Sequence, residues 1–358
     1  MKLISVDDIQ QGMVLAQNVY TLDDQLVLPK GTAIDPKAIR RLHNYNIFNV
    51  FINEDDEKPE SIKSSSEESF GKRLKESEEF KNFKKALEND AMHLETALKQ
   101  SFTSDEAIKS QSLVAPVMML FDQNDTGAGI MDIIHNMRGY DDAIYMHSIN
   151  VALISNMIAR WMRKSDDEIR IVTTAGLVHD IGKLVIPQDI LTKTTPLTAR
   201  ENETLKTHAQ LGYQLLKDKD IDQHIKNAVL MHHERHDGSG YPFGIKGEQI
   251  DEVARIIAVA DIYDDLTSKR ANHDPVSPFK VIGAFETDGL IKYDADVILT
   301  FLNHIANTFL ANKVRLSNNL EGEVIYINPD NLSRPTVKCG DSFIDLSRMK
   351  DVYITEII

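Results

Sequence analysis

The stretch LVHDIGK, residues 177–183, ends a predicted helix with two adjacent metal-type side chains, His179 and Asp180. Neighbouring residues on a helix project about 100° apart, so these two side chains can reach different parts of one cluster. Helical periodicity turns further side chains of this type inward from other predicted helices. They are His147, His208, His232, His233 and Asp261.

Each of these side chains has an ordinary structural explanation when taken alone. A lone histidine on an apolar face is usually a hydrogen-bonded core residue, and a buried aspartate often caps a helix. Five histidines and two aspartates from five helices are costly to bury together without compensation. Two divalent metals would compensate all of them, because such ions accept imidazole nitrogen and carboxylate oxygen. Mixed ligation of this kind suits iron, manganese or zinc, and the absence of ligating cysteine argues against structural zinc.

The surrounding region, residues 112–312, has a strongly helical pattern of apolar residues. Thr198 and Glu201 form a capping box just after Pro196, which predicts a helix start there. The fold class expected is mainly α, an all-helical domain with small β-rich segments at its N-terminal and C-terminal sides. Helices are predicted over residues 146–163, 169–180, 199–216, 221–233, 253–266 and 295–309.

Residues 1–53 alternate short apolar runs with turn signals, which predicts a small α/β or β-rich domain. Strands are expected near residues 13–16, 26–28 and 47–52, and a short helix over residues 36–45. The opening LISVDD resembles the start of a receiver domain. Such a domain needs a regular βα alternation, and the chain turns into a charged, Ser-rich segment near residue 54 instead.

The remaining segments differ in composition. Residues 54–69 are predicted to be a linker, because they are nearly free of apolar residues. Residues 70–111 contain an amphipathic pattern typical of a connecting helix that packs or dimerises, which leaves a homodimer open. Residues 313–358 are β-like, with turns at Asn328-Pro329 and Cys339-Gly340-Asp341. The two β-rich ends could pack together.

The overall composition excludes several classes of protein. Asp and Glu outnumber Lys and Arg by 55 to 40, a net charge of −15 that argues against bulk binding to DNA or anionic membranes. The single cysteine, Cys339, rules out an internal disulfide framework and fits a reducing compartment. No apolar run approaches the roughly 18 residues of a spanning helix, and the N-terminus lacks the pattern of a signal peptide. A cytoplasmic protein without membrane insertion is expected.

Together these blocks resemble the HD superfamily of metal-dependent phosphohydrolases. The resemblance rests on His179-Asp180 with Lys183, on His147 with Asn150-Val151-Ala152, and on the stretch Ala260–Ser268, ADIYDDLTS. The stretch His232–Pro242, HHERHDGSGYP, is similar to the HD-GYP branch of that superfamily.

The resemblance implies a phosphodiesterase that hydrolyses cyclic di-GMP to linear pGpG with a metal-bridging hydroxide, and a second cut would give GMP. Asp180 would be the catalytic bridging carboxylate, and Lys183 would hold a substrate phosphate. Two divalent ions are implied, with iron or manganese favoured. The implied metal ligands are His147, His179, Asp180, His208, His232, His233 and Asp261.

Substrate contacts are expected around the glycine-rich loop and after the last motif. Two glycines before Tyr-Pro permit a tight turn and close backbone approach to a ligand. Tyr241 could stack on a guanine or bond a phosphate, and the sequence does not decide between them. The candidate substrate-binding residues are Lys183, Arg235, Asp237, Gly240, Tyr241, Pro242 and Arg270.

Two departures from the family pattern limit what the resemblance implies. Some members carry a carboxylate one turn before the first histidine and use it to hold a third metal, but this chain has Ala143 there. Two metals are therefore expected rather than three, with pGpG as the main product. Many members continue after Thr-Ser with Asp-Arg-Pro-Tyr-Arg, whereas this chain reads KRANH over residues 269–273. This difference puts substrate contacts there in doubt.

Two other functions stay open. The same pocket could serve as a cyclic dinucleotide receptor with little or no turnover, which the altered segment after Ser268 favours and the intact ligand set disfavours. Another cyclic dinucleotide could be the substrate of a phosphohydrolase with the same site.

Overall fold

The structure is a computed structural model. It describes residues 2–6, 9–10, 12–20, 26–35, 38–39, 41–42, 45, 47, 49–53, 85, 96, 110–123, 134, 144–269, 274–310 and 312–358. The predicted linker over residues 54–69 and nearly all of the predicted connecting segment over residues 70–111 lie outside the described residues. Among the described helices, none has the length and apolar character that a membrane crossing needs.

The middle of the chain is a helical domain, as predicted. Its core is built from apolar faces of successive helices, with Ile149, Leu153, Val259 and Phe301 fully buried. The helices are α1 (Ser110–Gln123), α2 (Ile144–Trp161), α3 (Asp166–Val178), α4 (Gln188–Leu191), α5 (Ala199–Lys206), α6 (His208–Leu216), α7 (Gln223–Met231), α8 (Glu252–Thr267), α9 (Pro278–Ala284), α10 (Leu290–Lys292) and α11 (Ala295–Ile305).

Local side-chain chemistry sets several helix ends. The predicted capping box is confirmed: the Thr198 hydroxyl accepts the N–H of Glu201, and the Glu201 carboxylate accepts the N–H of Thr198. The predicted single helix over 199–216 is instead two helices that meet at Thr207. The Thr207 hydroxyl donates to the carbonyl of Thr204, and the His208 ring bonds the carbonyl of Leu205. These side chains take carbonyls that backbone N–H groups of a continuous helix would use.

The C-terminal segment forms a five-stranded antiparallel sheet. Its inner face, with Val314, Val324 and Val337 fully buried, belongs to the same apolar core as the helices. Glu286 ties the two together by accepting the backbone N–H groups of Leu332 and Ser333. The strands are β5 (Lys313–Leu316), β6 (Glu321–Asn328), β7 (Asn331–Cys339), β8 (Ser342–Asp345) and β9 (Ile354–Ile357). Their order in the sheet is β8-β7-β6-β5-β9.

The N-terminal unit has its own apolar cluster, in which Leu15 and Leu42 are fully buried. Of its predicted strands, 26–28 and 47–52 correspond to described strands, whereas 13–16 forms only isolated bridges. Its two-stranded sheets share no strand with the C-terminal sheet in the described part of the chain. The division into domains at residues 53, 69, 111 and 312 stays a prediction. Its strands are β1 (Lys2–Ser5), β2 (Val19–Tyr20), β3 (Leu26–Leu28) and β4 (Asn49–Ile52).

Candidate metal centre

The helical domain brings all seven predicted metal-type side chains into one buried cluster. His147 comes from the first turn of α2, and His208 is the first residue of α6. His179 and Asp180 follow the end of α3, and Asp261 lies in the middle of α8. His232 and His233 follow α7. Six of the seven residues are buried, with at most 7% of the surface exposed, and His233 is half-buried.

The side chains divide into two groups. Within each group, the potential ligand atoms all lie within 4.8 Å of one another. One group is His147, His179 and Asp261, and the other is Asp180, His208, His232 and His233. Asp180 faces both. Its Oδ2 lies 3.5 Å from His147 Nε2 and 3.4 Å from His179 Nε2, whereas its Oδ1 lies 3.3 Å from His208 Nε2. This geometry is that of a carboxylate able to bridge two ions.

Hydrogen bonds on the outer side fix the orientation of four of the imidazoles. Nδ1 of His179 contacts the Gly176 carbonyl at 2.8 Å, and Nδ1 of His208 contacts that of Leu205 at 2.7 Å. Nδ1 of His232 contacts the Val229 carbonyl at 2.9 Å. A carbonyl only accepts, so each Nδ1 carries a proton, and the Nε2 of each ring faces the cluster. His147 is held in the same way by a carboxylate, as described below.

The distances between the nitrogen atoms that face the cluster are those expected for ligands of one metal ion. His208 Nε2 lies 3.3 Å from His232 Nε2 and 3.1 Å from His233 Nε2. Two atoms each about 2.1 Å from one ion are about 3.0–3.4 Å apart at octahedral or tetrahedral angles. His179 Nε2 and Asp180 Oδ1 are buried without a hydrogen-bond partner among the described residues. Lone pairs that face one another at this distance repel unless a cation lies between them, so the residues fit a divalent metal site.

The electrostatics keep both carboxylates in their ligand form. Burial would raise the pKa of Asp180, but the charges of Lys183 and His179 outweigh it and hold that pKa well below its usual value. Burial would also raise the pKa of Asp261, but the neighbouring imidazoles of His147 and His179 outweigh it and hold that pKa well below its usual value. Both groups are therefore anionic near neutral pH.

The histidines differ in the pKa that the surroundings impose. Burial lowers the pKa of His232 to about 3 and lowers those of His233 and His208, which keeps all three rings neutral. Burial also opposes the charge on His179, but Asp180 and Asp261 outweigh it and raise its pKa to about 10. The two carboxylates thus favour a protonated, positively charged His179, and a divalent ion would compete with the His179 proton for the site.

Asp264 is a site residue to which sequence reasoning assigned no role. It is fully buried, and its Oδ2 lies 2.7 Å from Nδ1 of His147. Its Oδ1 accepts hydrogen bonds from Asn150 and Ser268. A carboxylate in this place fixes the ring of a ligating histidine and raises its basicity. The signal available in the sequence was its spacing of three residues from Asp261, which puts both on one face of α8.

Replacing Asp264 by asparagine is expected to weaken divalent metal binding about 10–100-fold, because the charge that orients His147 is lost. Competition with a chromogenic chelator measures this change. Asp218→Asn, at an exposed aspartate, is the matched control and should bind metal like the parent protein. An unchanged affinity in Asp264→Asn would show that His147 needs no carboxylate to orient it.

Lys183 lies against the cluster. Its Nζ is 2.5 Å from Asp180 Oδ2, and its side chain keeps about a quarter of its surface exposed. Burial lowers the pKa of Lys183, but Asp180 outweighs it and raises the pKa above its usual value. The ammonium group is thus a permanent positive charge between Asp180 and solvent.

The loop that follows His233 packs closely on the cluster. The ring of Tyr241 stacks on His233 with 4.5 Å between centroids and 26° between planes. A Cβ added at Gly240 would overlap the backbone of His233 and Arg235, so this glycine allows close approach to the chain itself. Buried Glu234 accepts the N–H of Phe243 at 2.7 Å and closes the loop.

The other predicted substrate contacts have structural partners or lie outside the described residues. Asp237 accepts both the N–H and the hydroxyl of Ser239, which forms a turn. Arg235 donates to the carbonyls of His232 and Glu234 and lies over the ring of Tyr293. Pro242 follows a cis peptide bond within the loop. Ala143 and Arg270 lie outside the described residues.

The sequence matches known proteins in the region that carries the cluster. Residues 131–297 match the family model of the HD domain. Cyclic di-GMP phosphodiesterase PA4108 of Pseudomonas aeruginosa is 35% identical over 200 residues, which are 55% of this chain and 48% of that protein. Cyclic di-GMP phosphodiesterase response regulator RpfG of Xanthomonas campestris is 42% identical over 120 residues, 33% of this chain and 32% of that protein. The chain thus spans half the length of these curated relatives or less.

Among solved structures, Bd1817, a HDG"Y"P protein from Bdellovibrio bacteriovorus, has a similar fold. The TM-score is 0.53 at 16% identity, with 84% of this chain and 97% of that one covered. The cluster of histidines and aspartates lies within the region that is similar to the HD domain.

Proposed function

We propose that this chain is a metal-dependent phosphodiesterase that hydrolyses cyclic di-GMP to linear pGpG, with GMP as the product of a second cut. The observation that carries the proposal is the pair of ligand groups that share Asp180. Two relatives named as cyclic di-GMP phosphodiesterases support the choice of substrate.

Two divalent ions, iron or manganese, are proposed as the cofactors. His147, His179 and Asp261 would hold one, His208, His232 and His233 the other, and Asp180 would bridge them. Ions bound there would act as Lewis acids that lower the pKa of water and neutralise phosphate charge. Ions bound there would also make the local field positive, which would let a protein with a net charge of −15 attract an anionic dinucleotide.

The chain's own residues have separate tasks in this proposal. The hydrogen bonds that Nδ1 donates to backbone carbonyls hold the imidazoles in place, so that no reorganisation is needed when substrate binds. Lys183, whose Nζ lies 2.5 Å from Asp180 Oδ2, would donate a hydrogen bond to a phosphate oxygen of the substrate. The loop 237–242 forms one wall of the mouth, and Tyr241 on His233 limits how the substrate can enter. Arg235, Asp237, Gly240, Pro242 and Arg270 stay proposed substrate-side residues.

A receptor that binds cyclic di-GMP with little turnover is the second candidate. Residues 269–273, KRANH, favour it because the proline and tyrosine found in many family members are missing. The complete ligand set in the structure supports hydrolysis instead. A cytoplasmic location, a homodimer and the absence of DNA binding stay predictions.

Turnover of cyclic di-GMP by the purified chain, with Mn²⁺ or Fe²⁺ added under anaerobic conditions, tests the proposal. Separation of products should show pGpG before GMP. The cyclic dinucleotide with one adenine serves as the competing substrate. Faster hydrolysis of that compound would reassign the substrate, and tight binding of cyclic di-GMP without any product would support the receptor.

Lys183→Met is expected to keep the bound metals and to raise the KM for cyclic di-GMP about tenfold or more. The reason is the loss of a charged hydrogen bond to the substrate phosphate, while the proposed metal ligands are untouched. Metal analysis of the purified variant and steady-state kinetics measure the two effects. Lys217→Met, at an exposed lysine, is the control. Loss of metal from Lys183→Met would show that the lysine acts by holding Asp180.

A further inference from the structure

Lys206 places a second ammonium group beside the cluster. It is the last residue of α5, two residues before His208. Its Nζ lies over the ring of Tyr241, 5.6 Å from the centroid. That ring stacks on His233 and makes an edge contact with His208, 6.4 Å between centroids. Lys206 therefore lies next to the mouth of the site, beyond Tyr241.

The ammonium group of Lys206 is available to a ligand. It forms an ion pair with Glu203 Oε1 at 2.7 Å, and the two side chains are 39% and 72% exposed. Exposed pairs of this kind are weak and exchange readily. Arg235 differs, because its guanidinium is held by two backbone carbonyls and the face of Tyr293.

A cyclic dinucleotide has two phosphodiester groups, each with one negative charge. The metal site and Lys183 account for the group that is cleaved, and the other needs a separate positive charge because the protein as a whole is acidic. We propose that Lys206 binds this second, uncleaved phosphodiester and so positions the ring and favours cyclic dinucleotides over simple diesters. The cation–π contact with Tyr241 holds the ammonium group at the mouth. This inference rests on the proposed function.

The test compares Lys206→Met with Lys206→Arg in the metal-loaded full chain. The substrates are cyclic di-GMP and bis(p-nitrophenyl) phosphate, which has a single phosphodiester. In Lys206→Met, kcat/KM for cyclic di-GMP divided by kcat/KM for the simple diester should fall about tenfold. The main cause should be a higher KM for cyclic di-GMP. The arginine variant should recover most of the ratio, and Lys350→Met, at an exposed lysine of the C-terminal segment, should keep it.

Calorimetry with a phosphorothioate analogue of cyclic di-GMP gives the second readout. The dissociation constant should rise about tenfold in Lys206→Met. An unchanged dissociation constant, or an equal loss on both substrates, overturns the inference, the latter because it indicates a structural role. If the parent protein binds the analogue but hydrolyses nothing, the proposed hydrolysis fails and the dissociation constants still decide the role of Lys206. If it neither binds nor hydrolyses, both are rejected.

Discussion

Asp180→Ala is expected to lose both bound metal and hydrolysis, with kcat/KM lower by about 10³-fold or more. Its two oxygens face the two groups of ligands, so one substitution removes a ligand from each. Metal ions supply several kcal/mol of transition-state stabilisation, and about 1.4 kcal/mol corresponds to tenfold in rate. Metal analysis of freshly purified protein, together with the turnover assay, measures both losses.

Asp189→Ala is the matched control, because this aspartate lies in α4 and is exposed. It should keep the metal content and activity of the parent chain. Asp180→Ala protein that retained two metals per chain and full turnover would reject the bridging role. A folded but metal-free variant, shown by an unchanged circular dichroism spectrum, would support it.

Gly182→Ala is expected to destabilise the fold by about 3 kcal/mol or more. Gly182 is buried in the turn after Asp180, and a Cβ there would overlap the carbonyl oxygen of His208 and lie 2.6 Å from the backbone nitrogen of Gly212. Both atoms belong to the backbone of α6, so relief requires the helix to shift. For a unit of this size the midpoint of thermal unfolding, Tm, should fall by about 6–12 °C.

The same shift moves His208 away from Asp180, so Gly182→Ala should also bind metal more weakly. Gly283→Ala is the control. A Cβ at Gly283 would meet only the side chain of Ser333, at 3.3 Å, and this glycine lies within helix α9. The free energy of unfolding of that variant should stay within about 1 kcal/mol of the parent, since alanine also favours helix. Equal Tm values for the two variants would contradict the packing argument at Gly182.

The direction in which each candidate ligand points could be predicted because it is a local property. Apolar neighbours at helical spacing turn His147 and His208 inward, and the structure buries both. Helix ends were less predictable. The separation of α5 from α6 depends on which backbone carbonyls the Thr207 and His208 side chains bond, and hydrophobic periodicity does not predict these hydrogen bonds.

The role of Asp264 could not be predicted from the sequence, because it depends on a contact between distant segments. Its hydrogen bond to His147 joins residues 117 positions apart, and that distance exists only once α8 packs on α2. The same holds for the stacking of Tyr241 on His233, a contact that sequence reasoning did not predict.

The sequence by itself determined the mainly helical class, the inward direction of the histidines and aspartates, and the family resemblance. Each of these follows from side-chain periodicity or motif order, which are properties of the linear sequence. Only the tertiary structure decided that the two oxygens of Asp180 face different ligand groups, that Asp264 orients His147, and that the C-terminal sheet shares the helical core. Those features depend on the packing of segments that are distant in sequence, and periodicity within one segment does not specify how it packs against another.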